Sequence, residues 1–277
     1  VYIKAEGRLS SDMITRAGVD TDPEKWFVFK SNIYETVCDF ISHLIRDNPT
    51  EKRYFFVIDS MDALISKADV DRSYDEANKV AGGAVTSSNF LKRMALPIST
   101  RGHICVLISQ VRSKVSINMY EKTDPKLTNA SGGNALLHFS DWILEFQPRW
   151  TKHQIKDSKA SKEDAAEGHW CEVIFRKTPN ETTGTIVKYP IKYGRTGGKS
   201  IWVEYEILNT LLKWGFVKRA GAWLNVTESL IEKLESKNLS IPEKIQGEEA
   251  FTNYLDENPE VKDYLFDMLK QTLSLTV

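Results

Sequence analysis

Hydrophobic residues along the chain fall into short solid runs separated by longer stretches in which they recur every three or four positions. The runs at residues 1–3, 26–29, 54–58, 104–108 and 142–146 have the length and continuity of strands buried on both faces. Between the second and third, Ile33, Val37, Phe40, Ile41 and Leu44 share one helical face until Asp47, Asn48 and Pro49 stop the helix. A longer helix is predicted around residues 86–97, with Thr100, Arg101 and Gly102 as the turn into the next strand. Strands alternating with crossover helices predict a parallel α/β sheet with helices on both faces. Residues 171–175 and 185–193 alternate with a period of two, which predicts antiparallel strands extending that sheet at one edge. From Glu204 onward the pattern turns helical, and residues 248–273 read as two amphipathic helices broken at Asp256, Glu257, Asn258 and Pro259. The expected organisation is a core over residues 1–205 and a small α-rich C-terminal domain over 206–277.

Composition adds constraints. Of 277 residues, 41% are hydrophobic and 27% charged, enough for one large core and a satellite. With 37 basic and 38 acidic side chains the net charge is -1, so attraction to nucleic acid has to come from a local patch. Cys38, Cys105 and Cys171 are odd in number and widely spaced, which predicts buried thiols in a reducing compartment. No apolar run approaches the roughly 20 residues of a membrane span, so no membrane partner and a cytoplasmic location are expected. Val1, Tyr2 and Ile3 read as a strand already in progress, without an initiator methionine, which predicts a fragment. Residues 151–168 mix four lysines with four acids and hold one Ile and no large aromatic, the signature of an exposed hairpin or loop.

Three strands end in polar groups suited to phosphate chemistry. The run Tyr54, Phe55, Phe56, Val57, Ile58 ends in Asp59 and Ser60, the first strand leads to Glu6, and the fourth leads through Ser109 to Gln110. Ligands of parallel sheets bind at the strands' C-terminal ends, where Asp59 can hold Mg2+. If the three strands are neighbours, an acid, a metal-holding carboxylate and an amide share one crevice. The same residues also read as solvated strand ends, with Asp59 capping the following turn.

Gly198, Lys199 and Ser200 imitate the end of a phosphate-binding loop, but the position five before Gly198 is Tyr193 rather than glycine, so the segment reads as a glycine-rich turn. Residues 111–126 carry Arg112, Lys114, Lys122 and Lys126 against Glu121 and Asp124, a local +2, interleaved with Val115, Ile117, Met119 and Tyr120 and followed by Gly132, Gly133 and Asn134. Cations that neutralise phosphates beside side chains that stack on bases fit single-stranded nucleic acid, and a plain solvated loop fits as well.

The ordered motifs AEGRLS and RAGVD (residues 5–20), VIDSMDAL (57–64), SQVRSK (109–114), GGNAL (132–136), AGAW (220–223) and YLDENPE (254–260) resemble the RecA family of DNA recombinases, including its UvsX-like phage branch, over essentially the whole chain. The resemblance implies a RecA-like P-loop NTPase core, with ATP and Mg2+ as cofactors, single- and double-stranded DNA as partners, and homo-oligomeric helical filaments. It implies that Glu6 activates water, that Asp59 and Ser60 end the metal-holding strand, and that Gln110 senses the γ-phosphate and relays it to a DNA-binding loop from Arg112 to about Ser131. A second loop, about residues 69–83, and a helix with Lys92 and Arg93 complete the DNA surface, although those two also read as ordinary surface charges. Arg176 and Lys177 match basic residues that reach a neighbour's ATP, with Thr178 departing from the family's pair of lysines. Tyr193 and Gly194 match a nucleotide-contacting pair.

Further departures are Ser10 and Met13 near the adenine and Ser109 beside the glutamine. The family's phosphate-binding loop and N-terminal arm would precede Val1, so this stretch alone is expected to hydrolyse ATP hardly at all. The expected function is an ATP-dependent recombinase; a non-hydrolysing DNA- or recombinase-binding module is the alternative.

Overall fold

The computed structural model describes residues 1–7, 9–48, 52–70, 82–110, 134–156 and 165–274. They form two compact units, one of residues 1–15, 19–143 and 177–183, the other of 16–18, 144–176 and 184–277.

The first unit contains β1 (Tyr2–Lys4), α1 (Ser11–Ala17, whose last two residues belong to the other unit), β2 (Val28–Lys30), α2 (Tyr34–Arg46), β3 (Phe55–Asp59), α3 (Lys67–Val70), α4 (Gly82–Thr100), β4 (Ile104–Leu107) and α5 (Asn134–Phe139). Its strands pair in parallel in the order β2-β1-β3-β4. Ile3, Phe56 and Ile58 point to one face, where Val37, Ile41 and Ile45 of α2 and Phe90, Leu91 and Met94 of α4 cover them. Burying each such side chain contributes about 1.5–3 kcal/mol. Pleating sends their neighbours the other way, and Phe55 and Ile104 are 53% and 54% exposed. Helix α2 matches its sequence pattern. Helix α4 outlasts its pattern and runs past Pro97, which sits in its last turn and forgoes one backbone hydrogen bond there.

One expectation changes. Residues 143–146 do form a strand, β5 (Ile143–Phe146), but it joins the antiparallel strands β6 (Gln154–Ile155), β7 (Gly168–Lys177) and β8 (Ile186–Lys192) in a sheet of their own, rather than these strands prolonging the parallel sheet. A solid apolar run states that a strand is buried but not which strand it pairs with. Gly168 is required there, since a Cβ would lie 2.1 Å from the Ile191 carbonyl oxygen.

The C-terminal region is α-rich as its pattern predicts, and its helices enclose a small sheet that the pattern does not announce. Beside α6 (Val203–Lys213), α7 (Glu228–Glu235), α8 (Gly247–Glu257) and α9 (Pro259–Ser274), it contains a three-stranded antiparallel sheet of β9 (Val217–Ala220), β10 (Trp223–Val226) and β11 (Lys244–Gln246). Gly221, at φ 59°, opens the two-residue turn between β9 and β10. Leu208, Leu211, Leu224, Leu230, Phe251 and Leu265 fill a core at 1% exposure or less. The break between α8 and α9 falls at the expected Asn258 and Pro259, with proline at the first helical position, where its missing N–H costs nothing. The three cysteines are free and half-buried, and burial pushes the Cys38 and Cys105 thiols up to about 12. No helix among the described residues is long and apolar enough to cross a membrane.

Candidate active site

The polar strand ends meet because β1, β3 and β4 are adjacent. Lys4 lies opposite Asp59 and Ile58 opposite Leu107, so Glu6, Asp59 with Ser60, and Gln110 emerge at the same end of the sheet. The Asp59 carbonyl accepts the backbone N–H groups of Ala5 at 3.0 Å and Glu6 at 3.3 Å, which ties the exit of β1 to that of β3. Ser60, 2% exposed, donates its hydroxyl to Glu6 Oε1 at 2.6 Å. The Tyr2 hydroxyl donates to Asp59 Oδ2. On the other side, Met61 N–H bonds the Ile108 carbonyl at 2.8 Å, and the Asp62 carboxylate accepts the Gln110 backbone N–H at 2.7 Å. The Asp59–Ser60 peptide is cis.

This donor set is hard oxygen throughout: one carboxylate on a central strand, a second carboxylate nearby and a buried hydroxyl. It fits Mg2+, which takes one or two carboxylates and keeps several waters. No group of three or more His, Cys, Asp or Glu able to hold a metal occurs among the described residues, so the fit is to a loosely held hydrated ion rather than to an all-protein cage.

Burial, and then the hydrogen bond to Asp59, raises the Tyr2 ionisation well above the ordinary phenol range, with further contributions from the Asp59 and Glu6 charges. Tyr2 is therefore a proton donor at any working pH. Tyr2 and Asp62 were missed as members of this cluster, because both contacts join different strands or their exits and depend on a strand order and register that the sequence does not display.

The remaining candidate residues are more dispersed. Lys92 and Arg93 are exposed on α4 between the buried Leu91 and Met94. Arg112, Lys114, Tyr120, Lys122, Lys126, Gly132 and Gly133 lie outside the described residues, as do 71–81 of the shorter loop, and Asn134 opens α5. In the first unit, the Lys177 ammonium donates to the carbonyls of Leu137 at 2.8 Å and His138 at 3.1 Å in the last turn of α5. In the second, Arg176 Nε donates to Glu145 Oε2 at 2.5 Å, and that bond leads the causes that lower the Glu145 pKa below the usual carboxylate range.

Tyr193 is exposed, accepts a hydrogen bond from Arg149 at 2.9 Å and lies 5.4 Å from the His169 ring. Gly194, at φ 78°, begins the turn that imitates a phosphate loop. That turn is held from two directions. Gly198 N–H bonds the Arg16 carbonyl at 2.9 Å. Arg195 donates to the buried Glu204 at 2.8 Å and faces Asp256 at 3.3 Å, while Lys262 lies 3.4 Å from Glu204. Arg195 had no sequence signal beyond turn composition.

With this geometry in place, the family model described as "RecA N-terminal domain" matches residues 1–174. Protein RecA of Cytophaga hutchinsonii is 24% identical over 275 residues, covering 99% of this chain and 68% of that protein. Protein RecA of Petrotoga mobilis is 25% identical over 283 residues, covering all of this chain and 67% of its own length. A solved structure titled as the crystal structure of the RadB recombinase is 13% identical, covers 72% of this chain and 76% of its own, and superposes with a TM-score of 0.44.

Proposed function

The chain belongs to the RecA N-terminal domain family, and from that premise we propose that it is the ATPase core of a DNA recombinase that assembles on single-stranded DNA and promotes pairing and strand exchange with a duplex. In this reading residues 1–205 form the ATPase core and 206–277 a small lobe, the protein works in the cytoplasm, and copies assemble into a helical filament with ATP between neighbours.

The observation that carries the reading is the convergence of Glu6, Asp59, Ser60 and Gln110 on adjacent strand ends, with the Ser60 hydroxyl 2.6 Å from Glu6. Glu6 orients and deprotonates the attacking water, and Ser60, donating to one of its oxygens, leaves the other as the base. Asp59 holds Mg2+, and bound Mg2+ supplies neutralisation of phosphoryl charge. Gln110, whose backbone is anchored to Asp62, carries the state of the nucleotide into the segment with Arg112, Lys114, Tyr120, Lys122, Lys126, Gly132, Gly133 and Asn134, which holds DNA together with Lys92 and Arg93. Tyr193 and Gly194 lie along the nucleotide. Of the two cations assigned to a neighbour's phosphates, Lys177 gives up only neutral carbonyls to reach out, whereas Arg176 has to leave a carboxylate.

The test is ATP hydrolysis, with and without single-stranded DNA, by the chain supplied with a RecA-type phosphate loop ahead of Val1, beside its Glu6→Gln variant. Turnover that rises with DNA and falls about 100-fold or more in the variant is the expected result. Salt-sensitive DNA binding without turnover would instead assign a non-hydrolysing binding module.

A further inference from the structure

We propose that Tyr2 is the positioning residue for the metal-holding carboxylate, its hydroxyl engaging Asp59 Oδ2 so that Oδ1 is presented to a divalent cation. The proposal rests on the reading of Asp59 as the metal residue. The strand register makes the contact. Tyr2 lies opposite Val57 and Lys4 opposite Asp59, so the Tyr2 and Asp59 side chains leave the same face of the sheet two positions apart. Strand side chains lean along the strand, which lets a tyrosine, and no shorter residue, span that offset. The Tyr2 ring is braced by Trp26, with centroids 5.8 Å apart.

The contact also completes the immobilisation of Asp59. Its carbonyl is bonded to Ala5 and Glu6 of the β1 exit, and its carboxylate is bonded to Tyr2 within β1, so backbone and side chain are both fixed by one neighbouring strand. Among the described residues Tyr2 is the side chain that engages this carboxylate, and Oδ1 carries no hydrogen bond. Groups that orient a ligating carboxylate from behind typically govern metal affinity by about 10–100-fold.

Mn2+ serves as the probe, titrated into the chain and followed by loss of the free-ion paramagnetic resonance signal. The comparison uses the unmodified chain, Asp59→Asn, Tyr2→Phe and, as a control, Tyr34→Phe, which loses a buried 2.5 Å hydroxyl contact with Ser87 elsewhere in the same unit. Tyr2→Phe is expected to weaken Mn2+ binding about 10-fold or more, Asp59→Asn to remove it, and Tyr34→Phe to leave it unchanged. Undiminished affinity in Tyr2→Phe, while Asp59→Asn loses the ion, overturns the role of Tyr2 alone. Equal losses in the two tyrosine variants overturn it too, by assigning the effect to general loosening. Binding that survives Asp59→Asn, or an unmodified chain that takes up no Mn2+, overturns both Tyr2's role and the metal assignment beneath it.

Discussion

The parallel strand ends of the first unit and the helical C-terminal region of the second use polar residues in opposite ways. In the C-terminal region, charge is buried to fasten structure: Glu204, 2% exposed, gathers Arg195 and Lys262 around a core led by Leu211, Phe251 and Leu255. At the strand ends, Glu6, Asp59 and Gln110 are half-buried or exposed, and their bonds fix direction rather than fill space. A carboxylate that must meet water, metal or phosphate keeps one oxygen open, and a structural carboxylate keeps neither. Loss of a side chain should therefore appear as lost stability in the C-terminal region and as altered binding or local motion at the strand ends.

The largest effect expected from this contrast is in the C-terminal core. Phe251→Ala removes a fully buried ring and should destabilise the protein by about 3–5 kcal/mol in urea unfolding, while Mn2+ affinity stays unchanged. A shift in Mn2+ affinity would show that the two regions are energetically joined. Glu204→Ala comes next. It leaves Arg195, 17% exposed, and Lys262, 23% exposed, beside an empty site, and should cost roughly 3 kcal/mol in the same measurement. Part of that loss should return when Arg195 is also replaced by methionine, since the more buried of the two stranded charges is then gone. Asp62→Ala should behave in the strand-end manner. Gln110 is exposed, so water replaces the lost acceptor and stability falls by only about 1 kcal/mol, but the Gln110 amide should exchange with solvent markedly faster. An unchanged exchange rate would remove Asp62 from any account of how Gln110 is held.

How much of this was visible in the sequence follows from the scale of each feature. Helix α2 and the α8–α9 break were readable because a dozen residues establish a period and Pro259 marks a boundary. The strands β9, β10 and β11 were not, since three or four residues such as Val217, Lys218, Arg219 and Ala220 are too few to distinguish a period of two from one of 3.6. The strand-end site was half visible. Apolar runs closing on Glu6, Asp59 and Gln110 announced the groups, but that they meet depends on the order β1-β3-β4, which no local pattern encodes. The bonds from Ser60 to Glu6 and from Tyr2 to Asp59 depend on register as well as order. Arg195 was hidden because its partners, Glu204 and Asp256, lie on two later helices.

The smallest effect is a pH dependence that both units share for the same reason, which makes it the finest probe of their independence. His103, beside β4, is 6% exposed and packs against Tyr54 and Phe56. Its Nδ1 accepts the Tyr54 backbone N–H at 3.1 Å, which requires that nitrogen to be unprotonated. Burial, and secondarily the charge of Arg101, lowers its pKa in the folded state. His169 in the second unit is lowered by burial, then by Arg149 and His153. A depressed folded pKa means that the unfolded chain takes up the proton first as pH falls. The contribution is thus complete above the unfolded value of about 6.5 and declines as pH drops from there toward the folded value. Urea midpoints between pH 8 and pH 5 should fall in that window, above the range where carboxylates begin to titrate. His103→Gln should flatten the decline in amide protection for residues of the parallel sheet and leave that of β7 and β8 intact, with His169→Gln doing the reverse. If either variant flattens both sets of amides, the two units unfold as one, and the separation between a structural region and a reactive one has to be drawn within a single cooperative body.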